Sequence, residues 1–389
     1  MGFVSRYKQK EFEFFIKEDN QDFSMENIIK RIHKAEWRDL PYKAQNWGNW
    51  FHRMGAYVGK IKPAIAHLII KVISKKKDII LDPFCGIGTV PLEADLLGRI
   101  AIGVDLNPYA YHIARSKFDR KPKEGIMKYL DKIRINTKKI DLKKCSNDMK
   151  IFYDPKTLKE ILFLLEKFKK DKQYFLIGCL LGIIHGHRPG HLSAITSLVI
   201  PFIPRTKPIY KEVIPRIKAK VNRMYFDDFP INTKGKIYKA DARKLPLKDN
   251  EVDVIFSSPP YYNTLNYVTD NRLRNEFLGF DRNKREKLKK KLIQNKNNYL
   301  LEMKKVGFEL KRVLKRNGLC VFILGDHHEG KKIINTAVEI AKIYKQIGFQ
   351  IHDIFEDAMP VNKALPTKFK RLKKDRIMIM TNKKFRKIE

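Results

Sequence analysis

Seven short runs of apolar, mostly β-branched residues alternate with helical patterns, and this alternation restricts the fold more than any other feature of the chain. Helical patterns lie, for example, at 89–98 and 332–347. Strands separated by helices favour an open, mainly parallel sheet that is covered on both faces. The sequence therefore predicts an α/β fold with a seven-stranded sheet. Its strands are expected at 78–82, 100–105, 236–240, 252–256, 319–325, 349–355 and 376–381.

Two connections depart from this alternation. The last two runs are joined by a loop that contains Pro360 and Pro366, which suits an antiparallel hairpin at one edge of the sheet. Residues 106–235, between the second and third runs, are far too many for an ordinary crossover. This stretch has helical patterns of its own, which predict a helical insertion with helices at 123–141, 155–170, 173–185 and 208–224.

These patterns divide the chain into four expected parts. Residues 1–54 form an N-terminal extension, and 55–115 form the first half of the α/β core. The helical insertion at 116–232 is a candidate region for substrate recognition. Residues 233–389 complete the core.

The charge of the chain predicts a polyanionic partner. Lysine and arginine number 81 against 43 aspartates and glutamates, which gives a formal net charge of +38. An excess of this size points to nucleic acid. Two tracts concentrate it: 282–316 has 14 Lys and Arg against three Glu, and 363–387 has 11 against one Asp.

The same sequence gives no support for a membrane partner. The longest apolar stretch, at 174–186, is too short to span a bilayer, and the first residues lack the apolar core of a signal peptide. Four scattered cysteines fit reduced thiols in a cytoplasmic protein better than a disulfide framework. The oligomeric state is left open by the sequence.

The stretch LDPFCGIGT, which follows the first predicted strand, indicates a ligand site. Gly86 and Gly88 let the backbone turn sharply beside a ligand, and Asp105 ends the next strand, where its carboxylate can accept hydrogen bonds from both hydroxyls of a ribose. The dinucleotide fingerprint would need a third glycine at Pro91, and no P-loop is present. The pattern is typical of a cofactor that contains adenosine.

Two motifs together resemble one family. DPFCGIGT resembles the S-adenosylmethionine loop of amino-methyltransferases that act on nucleobases, whose usual form is D-P-F-x-G-x-G-T, and SPPY at 258–261 matches their catalytic motif [DNS]-P-P-[YFW]. The resemblance covers roughly 55–120 and 235–382, and it implies a Rossmann-like methyltransferase sheet with S-adenosylmethionine as cofactor. The cofactor-binding residues that it implies are Lys62, Pro63, Asp82, Pro83, Phe84, Cys85, Gly86, Gly88, Thr89, Asp105, Asn107, Asp241 and Ala242.

The chemistry of this family accounts for the residue types of the SPPY motif. The lone pair of an exocyclic amino group is delocalised into the base, so acceptors aimed at its two hydrogens are needed to free it. Ser258 and the carbonyl of Pro259 would be those acceptors, and Pro260 would bring no competing N–H. Tyr261 would stack on an extruded base. No metal is predicted for this reaction.

The first motif position bears on the target base. Serine is typical of family members that modify N4 of cytosine, and aspartate or asparagine is typical of those that modify N6 of adenine. We therefore expect cytosine in DNA as the substrate, in a restriction-modification setting. Many serine-type members have the catalytic motif before the glycine loop, and this chain has the reverse order. The alternatives are a methyltransferase for ribosomal or transfer RNA and a non-catalytic nucleic-acid binder.

Five residues are candidates for contacts with nucleic acid. Arg188 and Arg205 lie in and after the segment IIHGHRPGH, where they are expected to bind phosphate. Asn263, Tyr267 and Arg272 follow the catalytic motif and are expected to shape the target pocket. The three histidines of the same segment, at 185, 187 and 191, have no cysteine or acid nearby to complete a metal site.

Overall fold

The computed structural model describes residues 22–35, 37, 39, 42, 47–196, 203–226, 231, 233–261, 267–294, 297–329, 332–358 and 374–382. Its helices are α1 (Met25–His33), α2 (Pro63–Ile73), α3 (Thr89–Leu96), α4 (Pro108–Ser116), α5 (Lys123–Asp131), α6 (Asn147–Phe152), α7 (Pro155–Lys170), α8 (Tyr174–Ile183), α9 (Val213–Met224), α10 (Tyr267–Asp270), α11 (Arg272–Phe277), α12 (Arg282–Lys291), α13 (Tyr299–Val313) and α14 (Thr336–Ile347). Its strands are β1 (Ile79–Asp82), β2 (Ile100–Val104), β3 (Lys236–Tyr238), β4 (Val252–Ser257), β5 (Leu314–Gly325), β6 (His327–Glu329), β7 (Lys332–Ile334), β8 (Phe349–Ala358) and β9 (Lys374–Asn382).

Seven of these strands form one sheet in the order β3-β2-β1-β4-β5-β9-β8. The first five are parallel to one another, and β9 runs antiparallel to both β5 and β8. The predicted seven-stranded, mainly parallel sheet and its antiparallel edge hairpin are therefore confirmed. The strand order reverses at β1, and the ligand crevice of such a sheet lies at the carboxyl ends of the strands beside the reversal.

Both faces of the sheet are covered, as the unbroken apolar strands require. In β5, Cys320, Phe322 and Leu324 pack towards α13 and α14, because alternate residues of a strand point to the same face. The intervening residues Val321 and Ile323 pack on the other face, towards α1, α2 and α3. These two apolar layers hold the strand ends of the crevice at fixed positions.

Helices α5 to α9 lie between β2 and β3 and share an apolar core with α4. Helix α7 matches the predicted range, but the helix predicted at 123–141 ends at Asp131. The sequence after it contains Ile133, Ile135 and Asn136, which favour a helix less than the residues before them do. The division of the chain into four parts stays a prediction.

A second predicted helix, at 332–347, begins later than expected. Residues 332–334 form β7, which pairs with β6 in a small hairpin, and α14 begins at Thr336. Asn335 caps this helix, because its side chain accepts a hydrogen bond from the N–H of Val338 at 3.1 Å. Ile333 and Ile334 before the cap are β-branched and favour the strand.

Among the described helices, none combines the length and the apolar character that a membrane crossing demands. The four cysteines are free thiols, and Cys85, Cys179 and Cys320 are buried.

Candidate active site

A cleft with an empty volume of about 860 Å³ opens at the carboxyl ends of β1 to β4. Segments from distant parts of the chain form its walls, and the glycine turn and the S-P-P-Y turn both contribute to it. The lining residues are Tyr57, Gly59, Lys60, Ile61, Asp82, Pro83, Phe84, Cys85, Gly86, Ile87, Thr89, Val90, Asp105, Leu106, Asn107, Ala240, Asp241, Ala242, Ser258, Pro260, Tyr267, Lys291, Leu292, Ile293 and Gln294.

The turn after β1 depends on two glycines in the left-handed region. Gly86 has φ +51° and Gly88 has φ +76°, a conformation that costs other residues about 1–2 kcal/mol. A Cβ on Gly88 would lie 3.0 Å from the Cβ of Ala114, so the second glycine lets α3 pack closely on α4. The buried amine of Lys117 donates to the carbonyl of Gly88 at 3.3 Å, and burial lowers the pKa of this lysine well below its usual range.

Asp105, directly after β2, lies beside the glycine turn and is hydrogen-bonded to it. Its carboxylate accepts hydrogen bonds from the backbone N–H of Gly86 and of Asn107, both at 2.8 Å. Burial raises the pKa of Asp105 to about 6, against the effect of these backbone donors. A carboxylate has about four acceptor positions, so this one keeps capacity for the hydroxyls of a ligand.

Asp82, at the end of β1, is joined to the end of β4. Its Oδ1 accepts hydrogen bonds from the hydroxyl of Ser257 at 2.6 Å and from the N–H of Phe84 at 3.0 Å. Burial raises the pKa of Asp82 to about 7. The two serines of FSSPPYYN therefore have different surroundings: Ser257 is fully buried against Asp82, and Ser258 lines the cleft. The contact between Ser257 and Asp82 was not predicted, although the two adjacent serines were a signal for it.

Asp241, which follows β3, is held by Arg243, whose role was not predicted from the sequence. Arg243 donates to both carboxylate oxygens, through Nε at 2.9 Å and through a terminal nitrogen at 2.6 Å. The same guanidinium donates to the carbonyl of Lys291 at 2.8 Å and pairs with Glu302. Burial opposes the ionisation of Asp241, but the hydrogen bonds and charge of Arg243 outweigh it and hold the pKa below its usual value.

The S-P-P-Y turn begins where β4 ends. Ser258 and Pro260 line the cleft, and Pro259 is buried. The ring of Tyr261 lies against Gly325, where a Cβ would come within 3.0 Å of it, and its hydroxyl donates to Asp375 at 3.3 Å. The tyrosine is therefore fixed at both its ring and its hydroxyl.

Two tyrosines form an aromatic wall of the cleft. Tyr57 lies over the glycine turn, 3.3 Å from the position that a Cβ of Gly86 would take. Its ring stacks on that of Tyr267, with centroids 5.6 Å apart and planes at 18°. Asn107 joins the same wall, because its amide donates to the carbonyl of Tyr267 at 3.4 Å. Tyr57 was not predicted, since nothing in its local pattern distinguishes a cleft tyrosine from a core one.

Most of the predicted cofactor residues line the cleft, but three do not. Lys62 and Pro63 are not among its lining residues. Pro63 begins α2, Lys62 precedes it as the N-cap, and Lys60 and Ile61 line the wall instead. Gly88 lies behind the turn, against α4.

The predicted nucleic-acid residues are dispersed. Arg188 and Arg205 are exposed and do not line the cleft, whereas Tyr267 does. Arg272 forms an ion pair with Asp148, with its Nε 2.9 Å from the carboxylate, so it joins α11 to α6. Asn263 lies outside the described residues. Within the described part of the chain, no group of three or more His, Cys, Asp or Glu could hold a metal ion.

The fold and the cleft resemble those of the Rossmann-like methyltransferases. A glycine turn follows β1, and an acid follows β2. The S-P-P-Y turn, which matches the catalytic motif of the amino-methylating members, follows β4.

Comparisons with known proteins point to a more specific group, the methyltransferases that act on DNA. Residues 6–116 match the model of the N6/N4 methyltransferase family, described as DNA methylase. The chain is similar to the Type II methyltransferase M.BsoBI of Geobacillus stearothermophilus, with 26% identity over 285 residues, which are 64% of this chain and 55% of the relative. It is also similar to the Type II methyltransferase M.MjaII of Methanocaldococcus jannaschii, with 26% identity over 191 residues, 45% of this chain and 33% of the relative.

The family model and the two relatives support the DNA amino-methyltransferase family for this chain. It spans about half the length of M.BsoBI and a third of M.MjaII. Among solved structures it is similar to TrmN from Thermus thermophilus, with 12% identity, a TM-score of 0.36, and coverage of 85% of this chain and 52% of that one. It is also similar to an S-adenosylmethionine-dependent methyltransferase from Methanosarcina mazei, with 11% identity, a TM-score of 0.35, and coverage of 81% of this chain and 97% of that one. These structural likenesses are too distant to bear on function.

S-adenosylmethionine is the cofactor that the similarity to DNA methylases supports. The residues present fit it. Asp105 offers a partly buried carboxylate with acceptor capacity to spare, beside a backbone turn that carries no Cβ at Gly86. Tyr57 and Tyr267 add an apolar wall beside them.

Proposed function

We propose that the chain methylates an exocyclic amino group of a base in DNA, and that N4 of cytosine is the target. One observation carries the proposal: Ser258 and Pro260 of the S-P-P-Y turn line the same cleft as Gly86 and Asp105. Segments about 150 residues apart in sequence thus bring a candidate cofactor site and a candidate amine site together. The names of the relatives, Type II methyltransferases, support a modification enzyme of a restriction system.

The glycine turn and the acids beside it would hold the cofactor. Asp105 would accept hydrogen bonds from the ribose, and Phe84, Cys85 and Gly86 would line the methionine part. S-adenosylmethionine supplies an electrophilic methyl group on a sulfonium when it is bound. Thr89, Asn107 and Ala242 line the cleft beside these residues.

The S-P-P-Y turn would prepare the amine. The hydroxyl of Ser258 and the carbonyl of Pro259 would each accept a hydrogen bond from the amino group. These two bonds would draw the nitrogen towards tetrahedral geometry and free its lone pair. The peptide nitrogen of Pro260 carries no hydrogen, so no donor competes for that carbonyl. The fixed ring of Tyr261 would support the base by stacking. The amine proton can leave after the nitrogen becomes cationic, so a strong base is not required.

The product analysis of a methylation reaction tests the proposal. The protein is incubated with labelled S-adenosylmethionine and either duplex DNA or RNA, the nucleic acid is digested to nucleosides, and the labelled nucleoside is identified. N4-methylcytosine from DNA is the expected product. N6-methyladenine would correct the base, a labelled RNA nucleoside would correct the substrate, and no labelled nucleoside from either would overturn the activity.

The variant Ser258→Ala tests the assigned acceptor. We expect kcat to fall on the order of 100-fold, the usual loss when one preorganised hydrogen-bonding group is removed from a catalytic site. The dissociation constant of the cofactor should stay unchanged, because Asp105 and the glycine turn are intact. The variant Ser257→Ala is the neighbouring control, and it should act through Asp82 on cofactor binding instead. Full activity of Ser258→Ala would contradict the role of this serine.

A further inference from the structure

Helix α12 is unusually basic for an element so close to the cleft. Seven of its ten residues, RNKREKLKKK, are lysine or arginine, and Glu286 is its one acid. Leu288 is its one buried residue. Like charges spaced three or four residues apart destabilise a helix, so this composition costs stability rather than adding it.

Part of this charge is neutralised within the protein and part is not. Arg285 pairs with Glu276 at 3.3 Å, and Lys284 donates to the carbonyl of Gly279 at 3.0 Å. For Lys287, Lys289 and Lys290, no carboxylate partner is found among the residues that the structure describes. These three amines are therefore available to an external anion.

The helix leads directly into the cleft wall. Its last residue, Lys291, and residues 292–294 line the cleft, and Arg243 holds the carbonyl of Lys291 beside Asp241. On its other side α12 packs against α10 and α11, the helices that follow the catalytic turn. The basic helix thus lies beside the cleft and next to the helices that follow the S-P-P-Y turn.

The positive surface continues onto β3. Lys239 is exposed next to Ala240 of the cleft wall, and its amine lies 4.8 Å from the ring centroid of Phe280, just before α12. Burial lowers the pKa of His112 to about 4, and the nearby cations Lys169, Lys239 and Arg115 contribute to the shift. We define the basic rim as Lys239, Lys287, Lys289, Lys290 and Lys291.

We propose that the basic rim binds the phosphate backbone of duplex DNA and seats the strand beside the cleft. The inference rests on the proposed function and adds to it the surface that holds the substrate. Clustered, unpaired lysines repel one another in the free protein, and phosphates that replace their counterions relieve that repulsion. The position at the cleft edge would align the bound strand with the S-P-P-Y turn.

A triple substitution tests the rim. In K287Q/K289Q/K290Q three charges are removed outside the cleft lining, and binding of a fluorescein-labelled duplex is measured by anisotropy over a series of salt concentrations. We expect affinity at 0.15 M salt to fall at least about tenfold, and the slope of log K against log salt to become shallower by about 2 to 3, since each phosphate contact contributes about 0.9. The affinity for S-adenosylmethionine, measured by calorimetry, should not change.

The matched control removes the same charge at the opposite end of the parallel strands. Lys75, Lys76 and Lys77 are exposed just before the amino end of β1, and K75Q/K76Q/K77Q should retain most of the DNA affinity and of the salt slope. Equal losses in the two variants, or none in the rim variant, would overturn the inference. Tighter, rim-dependent binding of an RNA duplex would also overturn it. Failure of methylation with rim-dependent DNA binding intact would reject the proposed activity alone.

Discussion

The ends of β1 and β2 and the end of β3 each carry an aspartate at the cleft, but the surroundings of these acids differ. Asp82 is buried and Asp105 is partly buried among hydroxyl and backbone N–H donors, and no lysine or arginine pairs with either carboxylate among the described residues. Asp241 accepts hydrogen bonds from the guanidinium of Arg243 on both of its carboxylate oxygens. Burial accordingly raises the pKa of the first two, and the arginine lowers that of the third.

The comparison shows that position on the sheet does not determine what an acid does. Neutral donors leave Asp105 with acceptor capacity for a ligand, at the cost of desolvating its charge. Arg243 instead uses most of the capacity of Asp241 and makes it a structural link to Lys291 and Glu302. We infer that Asp105 contributes more to cofactor binding than Asp241.

The largest expected effect separates these two acids directly. Asp105→Asn should raise the dissociation constant of S-adenosylmethionine about 100-fold, because hydrogen bonds to a charged acceptor contribute about 1.5–3 kcal/mol each. Asp241→Asn should raise it no more than about tenfold, because Arg243 already holds the carboxylate and at most one ordinary hydrogen bond, of about 0.5–1.5 kcal/mol, would be lost. Titration calorimetry measures both. Equal losses in the two variants would remove the distinction between the two regions.

A smaller effect is expected for the arginine. Arg243→Gln leaves Asp241 without its arginine partner and Glu302 with Lys305 alone, and we expect the free energy of unfolding to fall by about 2 kcal/mol. Chemical denaturation followed by circular dichroism measures the loss. Arg243→Lys keeps the charge but cannot reproduce the fork of donors, so it should restore only part of the stability. A Gln variant as stable as the parent would show that the link is dispensable.

The smallest effect is a dependence of cofactor affinity on pH. Ionised Asp105 accepts hydrogen bonds from hydroxyls more strongly than the protonated acid does, and its pKa is raised to about 6. Lowering the pH from 7 to 5 should therefore weaken binding about tenfold, as the ionised fraction falls. The dependence should persist in Asp82→Asn and disappear in Asp105→Asn. An affinity that is flat with pH in the parent protein would contradict the assignment of Asp105.

The strand-end positions were predictable because their signals are local. An apolar run followed by DPFCGIGT fixes the place of the turn, and SPPY after another run fixes the place of Ser258. The partners were not predictable, since they come from distant segments. Arg243 reaches Glu302 across 59 residues, and Arg272 reaches Asp148 across 124. Tyr57 lines the cleft because it packs on Gly86 and stacks on Tyr267, both far from it in sequence.

Ser257 and Ser258 have different surroundings, so the S-P-P-Y turn depends on how β4 aligns with β1. β4 pairs with β1 so that Val254 lies opposite Ile80 and Ile255 opposite Leu81. Sliding β4 by a single residue would turn every side chain to the other face. The two hydroxyls would then exchange surroundings while composition and net charge stayed the same. An insertion or deletion inside this strand would therefore be more damaging than many substitutions within the turn itself.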